Sequence, residues 1–258
     1  MSTMFPQVGA IARRSIVRTS RQPASFIPPL IFPVALMAVN AGGLRSSTNL
    51  TGFPTESFLA FALAVPFIQG ALFSTMNAGT DLARDIQTGF LNRLALTPMR
   101  GVSLLAGHLA GVVTMGVLQA LVYLAVGLAA GAHLEAGAAG GVVLILLAAL
   151  IALGFGALGA VMALRAGSGE AVQGMFPLLF VALFLSSMNI PRNLIEADWF
   201  RAIATANPVS YLLEGVRSLI VTGWDGEALG LGFACAGALA LVSLAGAAGA
   251  LRVRMTRT

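Results

Sequence analysis

The chain has 258 residues, of which 57% are hydrophobic and only 10% charged, with a formal net charge of +5. A soluble domain carries about 25% charged residues, so this composition cannot cover a water-facing surface, and the long apolar runs name lipid as the solvent. Every one of the 15 basic residues is arginine, which excludes a G-x-x-x-x-G-K-[ST] nucleotide loop, whose lysine reaches the phosphates, and a Schiff-base lysine.

In chain order, residues 4–22 read as an amphipathic helix, with Arg14, Arg18 and Arg21 on one face and Val8, Ile11 and Ala12 on the other. A short basic helix of this kind lies in the membrane interface, apolar side down. The first apolar run begins past residue 23 and has no small-x-small end, so no cleavable leader is expected. Six spans are predicted at about 24–44, 57–80, 101–131, 138–164, 172–190 and 228–250, each long enough for the roughly 20 residues a crossing helix needs. Pro28, Pro29 and Pro33 fall in the first, where neighbouring helices can make good the lost backbone bonds.

Two segments break the apolar pattern. Residues 81–100 place Ala83, Ile86, Phe90 and Leu94 on one helical face, with Asp81, Arg84, Asp85, Thr88 and Asn92 over much of the rest, and Thr97-Pro98 ends the run. Residues 191–224 carry Arg192, Glu196, Asp198, Arg201, Glu214 and Arg217, and Asn207-Pro208 interrupts them. From Pro208, Val209, Leu212, Leu213, Val216, Leu219 and Ile220 form a one-sided helix. It is too short and too charged to cross alone, so a pair of half-helices entering the outer leaflet and returning is expected.

Arginine placement sets the expected orientation, because short cytoplasmic segments collect positive charge. With six spans and the N-terminus inside, Arg13, Arg14, Arg18, Arg21, Arg84, Arg93, Arg100, Arg165, Arg252, Arg254 and Arg257 fall inside. Only Arg45, Arg192, Arg201 and Arg217 fall outside. A seventh span at 208–222 would put the C-terminal arginines outside, which disfavours it.

No span carries Asp or Glu near its centre, which argues against ion-coupled transport, since ions must be held at mid-membrane. Gln69, Asn77, Gln119 and Gln173 are the neutral polar candidates for a solute path, with helix packing as their commoner use. His108 falls near the cytoplasmic start of the third span, as a satisfied or snorkelling side chain. Gly107-x-x-x-Gly111 and Gly127-x-x-x-Gly131 are candidates for close helix contact. Neither metal-ligand spacing nor a hydrolase motif occurs, and no metal or nucleic acid is expected.

The run Asp85-x-x-x-Gly89-x-x-Asn92-Arg93-Leu94-x-x-Thr97-Pro98-x-Arg100, followed directly by a span, resembles the cytoplasmic coupling region of ATP-binding-cassette permeases of the type-2 exporter family, the daunorubicin-resistance-type drug-efflux permeases in particular. Asn207-Pro208-Val209-Ser210-Tyr211-x-x-Glu214-Gly215-x-Arg217-x-Leu219 resembles that family's extracellular segment before the last span. At Asn92 many members carry an acidic residue. The resemblance implies an all-α membrane permease of the type V exporter kind, in a bacterial inner (plasma) membrane with both termini cytoplasmic. It also implies a second permease copy or paralogue, and a separate dimeric ATPase subunit that binds ATP and magnesium. Arg84, Asp85, Phe90, Asn92, Arg93, Thr97, Pro98 and Arg100 would form the coupling site. The cargo would be a lipophilic or amphipathic drug, antibiotic or lipid-like compound. Two other classes share the composition: a lipid-modifying enzyme, for which Glu196, Asp198 and Glu214 are the grouped outer carboxylates, and a membrane scaffold without transport.

Overall fold

The computed structural model of the chain describes residues 9–14, 17, 23–89 and 101–255. Residues 9–14 are helical. The elements that follow are α1 (Pro23–Gly43), a 3-10 turn (Arg45–Asn49), α2 (Phe58–Ala62), α3 (Ala64–Gln87), α4 (Gly101–Ala129), α5 (Gly137–Ala166) and α6 (Gly169–Phe184). A second 3-10 turn (Arg192–Leu194), α7 (Asp198–Ala206), α8 (Pro208–Val221) and α9 (Gly226–Met255) complete the chain. Among the described residues there is no strand.

Four helical stretches, Phe58–Gln87, Ser103–Ala129, Gly137–Ala166 and Gly226–Arg254, are long and apolar enough to cross a membrane. Two more apolar stretches, Ile27–Gly43 and Gly169–Phe184, are shorter. The span expected at 172–190 starts earlier and stops sooner. Ser168 caps α6 by accepting from the Ala171 N–H at 3.3 Å, and α6 ends at Phe184 because the next carbonyls bond to groups outside the helix. The span expected at 57–80 is broken by one turn at Leu63 and then runs unbroken to Gln87. Residues 81–87 are therefore the last two turns of α3, where a separate helix was expected. Nothing between Thr80 and Leu82 breaks the helix, and Leu82 and Ala83 are drawn into a cluster with Leu104, Leu164 and Leu251.

Proline in α1 is answered from outside the helix. Pro33 has no N–H to give the Pro29 carbonyl one turn earlier, and the buried Tyr123 hydroxyl of α4 donates to that carbonyl instead. The centre of the bundle is α5, which touches α3, α4, α6, α8 and α9. It meets α3 at backbone distance: a Cβ on Gly159 would lie 2.2 Å from the Thr75 carbonyl oxygen. Small residues permit this approach where no water drives helices together. Of the glycine pairs expected to mediate contact, Gly127 makes room for Leu63, while Gly131 sits in a turn at φ +96°. The outward faces of α4 and α9 expose Leu118, Leu121, Leu241 and Val242, as lipid-facing helices do.

Ile11 packs on the cluster that holds Leu82, Leu104 and Leu251, and the Arg254 guanidinium donates to the Leu164 carbonyl at 3.0 Å. The described N- and C-terminal segments thus share one end of the bundle, called proximal below. The turn Arg192–Leu194, α7 and α8 stand at the other, distal end.

Candidate functional site

At the proximal end, Arg14 and Asp85 form a two-pronged ion pair, with Nη2 to Oδ1 at 3.0 Å and Nη1 to Oδ2 at 3.3 Å. The fork ties the N-terminal helical segment to the last turns of α3. Arg14, Asp81, Asp85 and His108 line one small cleft with Ile11 and Leu104, so the buried His108 belongs to this polar end. Arg84 points outward and is exposed. The helix stops where Thr88 bonds its hydroxyl back to the Arg84 carbonyl at 2.9 Å and Gly89 adopts a left-handed φ of +68°, a conformation that suits glycine. Of the other expected coupling residues, Phe90, Asn92, Arg93, Thr97, Pro98 and Arg100 lie outside the described residues, as do Arg18 and Arg21 of the interface helix.

At the distal end the structure brings all five motif residues into one unit. The Asn207 Oδ1 accepts from the Val209 N–H at 3.0 Å and caps α8, with Pro208 in the first turn. This is the pairing that local sequence favours at a helix start. Its Nδ2 donates to the Ala182 and Leu185 carbonyls at 2.6 and 3.1 Å, which pins α8 to the end of α6. The Tyr211 hydroxyl donates to the Thr205 carbonyl at 2.8 Å and holds α7 against α8. Glu214 accepts two bonds from Arg192, at 2.8 and 2.6 Å, and the Arg192 guanidinium lies 4.3 Å from the centre of the Tyr211 ring. Burial pulls the Arg192 pKa down, but the hydrogen bond and charge of Glu214, with Tyr211 adding, carry it net above the ordinary value.

Arg217 is the most buried charge among the described residues, 6% exposed. Its Nε donates to the Phe61 carbonyl at 3.2 Å, Nη1 to Ser187 at 3.1 Å and Nη2 to Met188 at 3.1 Å. The guanidinium also lies 3.6 Å from the centre of the Phe61 ring. One side chain therefore joins α8 to α2 and to the segment after α6. A cavity of about 470 Å³ opens beside it, lined by Phe61, Arg192, Glu214, Arg217, Val221 and Asp225 among others.

Asn207→Ala is expected to cost about 2 kcal/mol, since it removes a cap and two bonds to half-buried carbonyls. Asn207→Asp keeps the cap but cannot donate, so its thermal midpoint should fall between that of the alanine variant and that of the wild type.

The neutral polar candidates separate. Gln69 and Gln119 are inside the chain: Gln119 accepts from the Ser74 hydroxyl at 3.2 Å, and the Gln69 amide has no hydrogen-bond partner among the described residues. Asn77 is half-buried, and Gln173 is exposed on α6. The outer carboxylates do not gather: Asp198 pairs with Arg201 and Glu214 with Arg192. The Arg192 partnership, the Ser187 N–H bond to the Ser210 hydroxyl at 3.1 Å and the role of Phe61 carry no signal in sequence spacing.

The described residues form a helical bundle with four helices long and apolar enough to cross a membrane and a polar anchor at each end, the architecture of a polytopic membrane protein. Residues 6–221 match the family model described as ABC-2 type transporter, and the chain belongs to that family. It is 30% identical over 202 residues to "Daunorubicin resistance ABC transporter permease protein DrrB1" of Streptomyces coeruleorubidus, covering 74% of this chain and 65% of that relative's length. It is 22% identical over 225 residues to "Putative transport permease ycf38" of Porphyra purpurea, covering 86% of this chain and 77% of the relative. The ycf38 permease of Pyropia yezoensis is likewise 22% identical, over 219 residues.

Proposed function

We propose that this chain is the membrane half of an ATP-driven exporter, moving lipophilic or amphipathic compounds outward with energy from a separate ATPase subunit dimer that binds ATP and magnesium. In this reading α1 and α6 complete six crossings of the cell membrane and the proximal end is cytoplasmic, which agrees with the arginine distribution. The observation that carries it is the Arg14–Asp85 fork. It links the N-terminal segment to the end of α3, so a push from below on either is shared by both. Exposed Arg84 supplies a polar contact beside it, and Phe90, Asn92, Arg93, Thr97, Pro98 and Arg100, outside the described residues, are the further coupling residues this reading assigns.

A second permease copy or paralogue would pack along α1, α3 and α6. There Phe32, Phe73, Phe176, Phe180 and Phe184 form a chain of ring contacts 4.9–6.4 Å apart. Gln173 stands on the same stripe of α6, at i, i+3, i+7 and i+11 with Phe176, Phe180 and Phe184. An exposed amide on an apolar helix is costly against lipid and favourable along a path for an amphipathic solute.

The fork is 43% exposed on its arginine side, so its worth to stability is about 0–1 kcal/mol, and its loss should leave the protein folded. Asp85→Arg is expected to reduce ATP-driven efflux roughly tenfold, a coupling loss of about 1.4 kcal/mol. The exchange of both charges, Arg14→Asp with Asp85→Arg, should restore much of it. Daunorubicin, named in one relative, is the first compound to try. Equal efflux in all three proteins would remove the fork from the coupling route.

A further inference from the structure

The distal cavity is not used by the transport reading. Its buried part is positive. Two guanidiniums, Arg192 and Arg217, share it with one α8 carboxylate, Glu214. Asp225 also lines it, but the Asp225 Oδ1 accepts from the Glu227 and Ala228 N–H groups at 3.0 Å each, so its charge is set against the positive end of α9. Arg217 spends three of its five N–H donors on carbonyls, which leaves one on each terminal nitrogen. Pro54, Pro191 and Val221 add apolar lining.

Depth adds a second constraint. Both tryptophans of the chain stand at this end and are exposed, Trp199 by 65% and Trp224 by 59%. Tryptophan collects at the headgroup level of a bilayer. Trp224 lies in sequence between Thr222 and Asp225, both of which line the cavity, so the cavity opens at headgroup depth. A volume of about 470 Å³ falls within the range of sites that enclose small molecules.

We infer that this cavity holds the headgroup of an anionic phospholipid from the distal leaflet. Its phosphate is bonded by Arg217 and by Arg192, and the first acyl carbons lie along Pro54, Pro191 and Val221. Guanidinium and phosphate match in charge and in the geometry of paired N–H donors. Glu214 competes with the lipid for Arg192, so the ion pair sets the affinity.

The test uses the full chain in an uncharged maltoside detergent, with Trp199→Phe so that Trp224 fluorescence alone reports the cavity. The probes are short-chain phosphatidylglycerol, phosphatidylcholine of equal chain length, and glycerol phosphate without chains. Phosphatidylglycerol should bind about tenfold tighter than phosphatidylcholine, the size of one charge-assisted bond. Arg192→Gln should weaken phosphatidylglycerol about tenfold, and Glu214→Gln should strengthen it several-fold by freeing Arg192. These opposite signs separate a ligand site from a purely structural ion pair, which both substitutions would merely loosen. Equal affinity for the two lipids overturns the inference, as does weaker binding in Glu214→Gln. Glycerol phosphate binding as tightly as phosphatidylglycerol overturns it in favour of a soluble phosphate ester. Lipid selectivity of the unsubstituted distal motif decides the matter even if a variant fails to fold, and none of these readouts depends on ATP-driven export.

Discussion

Replacing Arg217 with methionine should lower the stability of the protein by about 3–4 kcal/mol, seen as a drop in thermal midpoint of roughly 10 °C in detergent. The Phe61, Ser187 and Met188 carbonyls would lose their donor, and each buried polar group left unpaired costs about 1–3 kcal/mol. Part of that loss is offset, because methionine no longer buries a cation. The carbonyls have no ready substitute: Ser187 and Met188 lie in the irregular segment after α6, itself buried. Arg217→Lys keeps the charge and much of the stem, but a compact ammonium cannot span three acceptors that a flat fork reaches at 3.1–3.2 Å. Lysine should therefore recover about half of the loss. Equal midpoints for the Arg217→Met variant and the wild-type protein would mean the guanidinium is dispensable for the distal unit.

Gly159→Ala should cost about 2–3 kcal/mol, at the upper end for one added methyl group. Its Cβ would stand 2.2 Å from the Thr75 carbonyl oxygen and 3.2 Å from the Gly79 N–H nitrogen. These are backbone atoms, so no rotamer relieves the clash. α3 and α5 must separate, which opens the contact of the central helix with the one that carries Asp85. Gly237→Ala on α9 is the matched control. Nothing lies within 4 Å of a Cβ there, so alanine should be neutral or stabilise by up to about 1 kcal/mol through helix propensity. The thermal midpoint should therefore fall in Gly159→Ala and hold or rise in Gly237→Ala.

The long helices were legible because apolar length is a property of the sequence alone. The observed ends of α1, α4 and α5 fall within two residues of those expected. The break at Asn207-Pro208 was legible for a local reason too, since an Asn cap and a Pro in the first turn need no tertiary partner. What stayed hidden depends on which helix lies opposite. α5 and α9 are apolar all round, so no face is marked as inward. The glycine spacings at 107–111 and 127–131 therefore stand out in the sequence, while the backbone approach falls at Gly79 and Gly159 on different helices. The same absence of a face signal left Gln69, Gln119 and Gln173 looking alike, although two are enclosed and one is exposed. Arg192 and Glu214 are 22 residues apart, a separation with no helical meaning. Arg217 bonds to carbonyls, which leave no trace in side-chain pattern. The early end of α6 has the same origin: its sequence stays apolar through Leu185, and the distal motif takes the carbonyls that a longer helix would use.

The central claim, a permease driven by a separate motor, is tested most directly by gentle detergent purification of this chain from its native membrane after cross-linking. The account predicts that an ATP-hydrolysing subunit accompanies it and is lost when Phe90 and Arg93 are both replaced by alanine. A chain that folds, purifies and carries no such subunit under cross-linking would contradict the account and direct attention to a scaffold or lipid-modifying role.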